Sequence, residues 1–361
     1  MLIPELPAFL TALDGGEYKG LIISLFTVTA LVSRPFSGKL ADNIGRKPVI
    51  IVGGAVCMFC SLLYPILTSV FGFFMLRFVH GFSTGFTPTG QSAYVSDVIP
   101  ADRRGEAMGL LGMMGTLGMA MGPAIGGLVA RELGLNTMFY LSSVCGLVAV
   151  AIVMGMKETL PTKKSFSLSM LKITRDDLFE PRVILPCAIM GLAMYAYGAM
   201  LTLIPDFGEH VGIHRKELLF TYFTIASLAI RLIAGKASDK YGRLPVVTAA
   251  SALVMISMLM IAVAETQPLL IAGMILYGFG QGSLSPTLLA WATDLSEQRH
   301  KGRALASLYI FMELGIGVGA FMSGWLFGYE WSGFFIPFMI SSVLAGIAFV
   351  TLLLKPLFQK A

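Results

Sequence analysis

The chain has 361 residues, of which 56% are hydrophobic and only 13% charged, and its formal net charge is +5. Soluble domains carry about 25% charged residues, so these few charges cannot cover the water-exposed surface of a soluble chain this size. That excludes a soluble enzyme and a soluble basic domain able to bind nucleic acid. The chain opens with "MLIPELPAFLTAL", about half a helix, with no basic n-region or small-residue cleavage site of a signal peptide. Apolar spans follow near residues 19–40, 48–68, 71–96, 105–130, 137–157, 183–206, 217–237, 245–264, 268–293, 303–327 and 332–355, eleven in all. Val183 to Pro205 runs for 23 residues without a charge, and Val246 to Ala264 for 19. Runs of about 18 or more apolar residues are long enough to cross a bilayer. Helices are expected there, because each span must satisfy its own backbone; strands of a membrane barrel would alternate in polarity, and these runs do not.

The loops after spans 1, 3, 5, 7 and 9, with the C-terminus, hold nineteen Lys and Arg against four on the opposite side. The positive-inside rule makes the first side cytoplasmic, the C-terminus included. The opening fragment is then the outer half of a first helix. Its missing inner half suggests a start codon placed too late or a truncated gene. Cys57 and Cys60 form a C-x-x-C inside an apolar span; without a βαβ context, small packing residues are a better reading than a redox pair or a metal site.

One charged stretch occurs twice. "GKLADNIGRKP" starts at Gly38 and "GKASDKYGRLP" at Gly235, an offset of 197 residues. At the same offset Gly81 meets Gly278, Gly85 meets Gly282, Asp97 meets Asp294, and Arg104-Gly105 meets Lys301-Gly302. "IPEL" at 3–6 resembles "IPDF" at 204–207. The chain is therefore expected to be a duplicated six-helix unit: an N-terminal bundle over 1–156, a basic cytoplasmic linker over 157–182 and a C-terminal bundle over 183–361. Part of the linker could form an interfacial helix, although a solvated connector is the plainer reading.

Two parallel six-helix halves are the layout of the major facilitator superfamily, and the motifs resemble that family's. The doubled loop is similar to its motif between helices 2 and 3, repeated between helices 8 and 9. "RFVHGFSTG" (77–85) resembles the helix 4 motif, "GMAMGPAIGG" (118–127) the helix 5 motif of drug:proton antiporters, and "PELP" (4–7) the Pro-x-x-Pro ending of helix 1. The implied fold class is an all-α polytopic membrane protein of two pseudo-symmetric six-helix bundles, with its first helix incomplete.

Asp42 and Asp239 sit where a helix ends, well placed to meet the N-terminus of a neighbouring helix. Gly38, Gly45, Gly235 and Gly242 permit close approach and tight turns. The resemblance implies that Asp42 and Arg46, with their mates Asp239 and Arg243, latch the halves at the cytoplasmic side; ordinary turn residues with topogenic charge are the bland alternative. Gly118, Gly122, Gly126 and Gly127, with Pro123, form a smooth face that suits either generic packing or a hinge between the halves. Charges inside spans are expensive and default to functional candidates. Arg77 is a candidate for proton or substrate coupling, against snorkelling to the outer headgroups. Glu5, roughly 12 Å deep at 1.5 Å per residue, could load and release a proton; Asp206 is its repeat mate nearer the surface. Glu313 is the one charge midway along its span. Arg34 and Arg231 are read as snorkelling to the inner face.

The resemblance implies a secondary transporter at the bacterial inner membrane, a monomer exporting small amphipathic compounds in exchange for protons. A sugar or metabolite permease and a transport-inactive remnant are the alternatives. No HExxH motif is present, and His80, His210, His214 and His300 do not cluster in sequence. No nucleotide-binding loop is present either, so no cofactor is expected and energy must come from a gradient or a concentration difference. The partners are a small molecule, protons and the lipid bilayer, not nucleic acid.

Overall fold

A computed structural model describes residues 2, 5–15, 18, 21–213, 217–326 and 332–358. Ile3 and Pro4 of the opening motif, Lys19, His214, Arg215, Lys216 and Lys360 lie outside the described residues. Among those described there is no strand. A short helix α1 (Leu6–Ala12) precedes α2 (Leu21–Asn43), α3 (Arg46–Leu63), α4 (Val70–Val98), α5 (Arg104–Leu133) and α6 (Leu135–Gly155). The segment after α6 carries a one-turn helix, α7 (Arg175–Leu178), between two short 3-10 turns at Leu168–Leu171 and Pro181–Val183. Then follow α8 (Ile184–His210), α9 (Glu217–Tyr241), α10 (Arg243–Ala262), α11 (Gln267–Leu295), α12 (Lys301–Leu326) and α13 (Ser332–Phe358). All eleven expected spans are helices, and eight of the helices are long and apolar enough to cross a membrane by themselves. The offset of the sequence repeat also governs the elements. α3, α4, α5 and α6 begin at 46, 70, 104 and 135, and α10, α11, α12 and α13 begin 197 residues later.

The chain divides into two compact units. The first comprises Met1–Val98, Met114–Glu180 and Ser296–Ser307, so it includes the first turns of α12. Within it α2 packs along α4, and α3 lies against both α4 and α6. Leu6 and Leu10 of α1 join Ile22, Tyr64, Phe73 and Phe139 in an apolar cluster at the end of α3 far from Arg46. The second unit comprises Ile99–Met113, Pro181–Leu295 and Leu308–Ala361, and so includes the first turns of α5. Here α11 packs on α9 and α10, and α13 on α10 and α8. Phe207 stacks on Phe334 with ring centroids 4.6 Å apart.

Each unit rests on the same close helix contact. A Cβ on Gly81 would lie 2.5 Å from the Phe26 carbonyl oxygen, and one on Gly278 would lie 2.5 Å from that of Phe223. Membrane helices associate through packing of this kind, not through exclusion of water. Neither backbone can retreat without parting the helices. Gly81→Leu and Gly278→Leu are each expected to abolish the monodisperse folded peak in detergent size-exclusion chromatography; a normal peak from either would refute the contact.

Candidate functional site

The repeated loop builds the same polar network in each unit. In the first, α2 ends at Asn43 and the chain turns through Gly45, whose φ of 126° is costly for any residue with a Cβ. Asp42 is thereby held at the end of α2. Its carboxylate accepts from the N–H groups of Gly302 (2.7 Å) and Arg303 (2.8 Å). These lie in the first turn of α12, where helical N–H groups have no partner within their own helix. Arg46 Nη1 donates to Asp42 (2.7 Å), and its Nε donates to Asp97 (3.0 Å) at the end of α4. Lys301 Nζ completes the group by donating to Asp97 at 2.9 Å. The Arg46 side chain is fully buried and that of Asp97 is 2% exposed. Burial pushes the Asp42 carboxyl above its ordinary range, against the opposing pull of Arg46 and the two N–H groups.

The second unit repeats the arrangement. Gly242 makes the turn with a φ of 93°. Asp239 accepts from the N–H groups of Gly105 (2.7 Å) and Glu106 (2.9 Å) at the start of α5. Arg243 bonds Asp239 and, at 2.8 Å, Asp294, which also receives Arg104 at 2.8 Å. The close approach that permits this is again matched. A Cβ on Gly38 would lie 2.8 Å from the Ala306 Cβ, and one on Gly235 would lie 2.6 Å from the Gly105 oxygen. The second copy is wetter: Asp294 is 29% exposed where Asp97 is 2%.

The segment after α6 adds a layer to the first copy only. Glu158 accepts from the N–H groups of Arg46 (2.9 Å) and Lys47 (3.1 Å), capping α3, and the Thr159 hydroxyl donates to Asp97 (3.0 Å). Helix caps are worth about 1 kcal/mol. Glu158→Ala is therefore expected to lower the thermal midpoint by a few degrees, whereas Lys157→Ala should not; equal midpoints for the two variants would remove the cap from the account.

Arg77 is 2% exposed, donates Nε–H to the Ile22 carbonyl at 2.8 Å, and holds its guanidinium 4.2 Å above the Phe26 ring. The buried His80, one turn on, lies 3.4 Å from the Tyr64 hydroxyl. Glu5 is half-buried and faces α5, with Oε1 3.4 Å from where a Cβ on Gly127 would stand. No ion pair links Arg77 to Glu5 among the described residues. Gly118 is exposed with nothing within 4 Å of its Cβ position; Gly122 and Pro123 are half-buried and Gly126 is buried. In the second unit Asp206 is exposed and Glu313 half-buried. The four cysteines are free thiols, and no cluster of possible metal ligands occurs among the described residues.

Arg34 departs from the snorkelling expectation. It is 1% exposed and donates to the Thr89 hydroxyl (3.0 Å) and the Gly85 carbonyl (3.3 Å), pinning α2 to α4. The polar atoms of α4 give it a nearer partner than any headgroup. Arg231 is half-buried and likewise turns inward, with Nη1 2.2 Å from where a Cβ on Gly112 of α5 would stand. Asp97, Asp294, Lys301 and Arg104 are network members that sequence reasoning did not single out as site residues. Their equal spacing in the two repeats was the available signal. Glu158 has no repeat mate and left none.

The Major Facilitator Superfamily description matches residues 1–214 and 187–360, which together span nearly the whole chain. The chain belongs to the major facilitator superfamily. It is 26% identical over 336 residues to the multi-drug resistance efflux pump PmrA of Streptococcus pneumoniae, covering 88% of this chain and 83% of that one. It is 27% identical over 256 residues to multidrug resistance protein 2 of Bacillus subtilis, covering 67% and 63%. The solved proton:xylose symporter XylE superposes with a TM-score of 0.78 at 14% identity, over 97% of this chain and 89% of that one. This major facilitator protein is thus an integral multi-pass membrane transporter with that superfamily's fold.

Proposed function

We propose that the protein exports small amphipathic compounds across a bacterial cytoplasmic membrane in exchange for protons. The relation to a multi-drug efflux pump and to a multidrug resistance protein carries this reading, and the resemblance of "GMAMGPAIGG" to the antiporter helix motif supports it. The basic loops would face the cytoplasm, with the C-terminus on that side. Alternating access would be rocking of two halves, 1–156 and 183–361, joined by the linker 157–182. Asp42, Arg46, Asp239 and Arg243 would hold the resting state through the two networks. The smooth face of Gly118, Gly122, Pro123, Gly126 and Gly127 would serve as the hinge. Arg77 and Glu5 would couple the proton, and Glu313 and Asp206 would contribute to substrate or proton binding. Expression in an efflux-deficient bacterium should lower the steady-state accumulation of ethidium, and a protonophore should restore it. Unchanged accumulation of every lipophilic cation tried, alongside raised uptake of a sugar, would replace export with a permease.

A further inference from the structure

The segment between α6 and α8 encloses a cavity of about 580 Å³ with the ends of α2 and α12, all within the first unit. Lys39, Lys164, Arg299 and Arg303 line it, together with His300. Its two acids, Asp42 and Asp177, already have partners. Asp42 is held by Arg46 and two N–H groups. Asp177 accepts from Lys39 (2.7 Å) and from the Thr174 hydroxyl (2.7 Å). Arg303 is paired with Glu180. Among the described residues the Lys164 ammonium has only the amide oxygen of Asn43, at 2.9 Å, and Arg299 makes no ion pair. Among the described residues these two cations therefore have no carboxylate partner.

A second feature adjoins it. Phe166, Leu168 and Leu171 are 56%, 78% and 43% exposed, while Met170 between them packs inward with Leu40, Val49 and Phe86. Lys163, Lys164 and Lys172 flank this stretch. Three bare apolar side chains within six residues, bracketed by lysines, suit the boundary between headgroups and acyl chains. That position favours a lipid headgroup over an ion drawn from water.

We propose that this cavity binds the phosphate headgroup of an anionic phospholipid, with residues 163–172 lying in the adjoining membrane interface. Arg299 and Lys164 would neutralise the phosphate, and Phe166, Leu168 and Leu171 would meet the glycerol and upper acyl chain. The site does not depend on which solute is transported.

The test uses the full chain in mild detergent, stripped of anionic lipid. Phosphatidylglycerol, phosphatidylcholine of the same acyl chains, or inorganic phosphate is added. Thermal unfolding is followed, and retained lipids are counted by native mass spectrometry. Phosphatidylglycerol alone should raise the midpoint and stay bound. Lys164→Gln/Arg299→Gln, two exposed changes, should need roughly thirtyfold more phosphatidylglycerol for the same shift, as expected for two interfacial cations. Leu168→Ser should also weaken the response, and Lys236→Gln/Lys240→Gln, which removes equal charge from the other unit, should leave it unchanged. An equal response to phosphatidylcholine would reduce the effect to hydrophobic packing, and a response to phosphate alone would mean a free-anion site. Equal weakening in the two double variants would mean net charge. Each of these overturns the proposal.

Discussion

Asp42→Asn is expected to reduce transport at least tenfold, while Asp239→Asn leaves a substantial fraction. The asparagine keeps the size of the side chain but not its charge. Arg46 is fully buried, and its other carboxylate, Asp97, is shared with Lys301. Removing one partner of a buried pair costs about 3–5 kcal/mol, because the other charge is left without compensation. The N–H groups of Gly302 and Arg303 also lose a charged acceptor for a neutral one, and charged acceptors make bonds roughly twice as strong. In the second copy Arg243 is 10% exposed and Asp294 is 29% exposed, so water screens the loss. Transport into vesicles and thermal unfolding of both variants would check the order. Equal effects, or a larger one at Asp239, would show that burial does not set the importance of the two networks.

Arg77→Ala is expected to lower transport by two to three orders of magnitude in a chain that still inserts. The guanidinium bonds a buried carbonyl and covers an aromatic face. A desolvated cation–π contact is worth about 2 kcal/mol, and a hydrogen bond from a charged group about 1.5–3 kcal/mol. Arg77→Lys keeps the charge but loses the planar group, and should fall between the two. Wild-type transport in Arg77→Ala would return the arginine to a purely structural role. A loss in which solute still moves but no longer responds to a proton gradient would support its part in coupling.

Much of this was legible in the sequence. Long uncharged runs betrayed the helices, since a membrane leaves the backbone few other solutions. The doubled loop located both Asp–Arg networks, because a repeat must place matched residues in matched surroundings. The same repeat carried Asp97 with Asp294 and Lys301 with Arg104, but isolated acids and bases at helix ends look like topogenic charge until their partners are seen. Arg34 was misjudged for a related reason: distance along a span says nothing of whether Thr89 and Gly85 are nearer than the headgroups. The cap supplied by Glu158 arises from chain folding back over α3, and a residue without periodicity or a repeat mate gives pattern reasoning nothing to detect.

The most direct measurement is proton movement itself. Everted membrane vesicles carrying the chain are acidified inside, and lumenal pH is followed as lipophilic cations, antibiotics and sugars are added in turn. Proton-coupled export predicts that some of the amphipathic compounds alkalinise the lumen, and that Arg77→Ala and Glu5→Gln abolish the response. A folded, inserted chain that moves those compounds with no change in lumenal pH would contradict it.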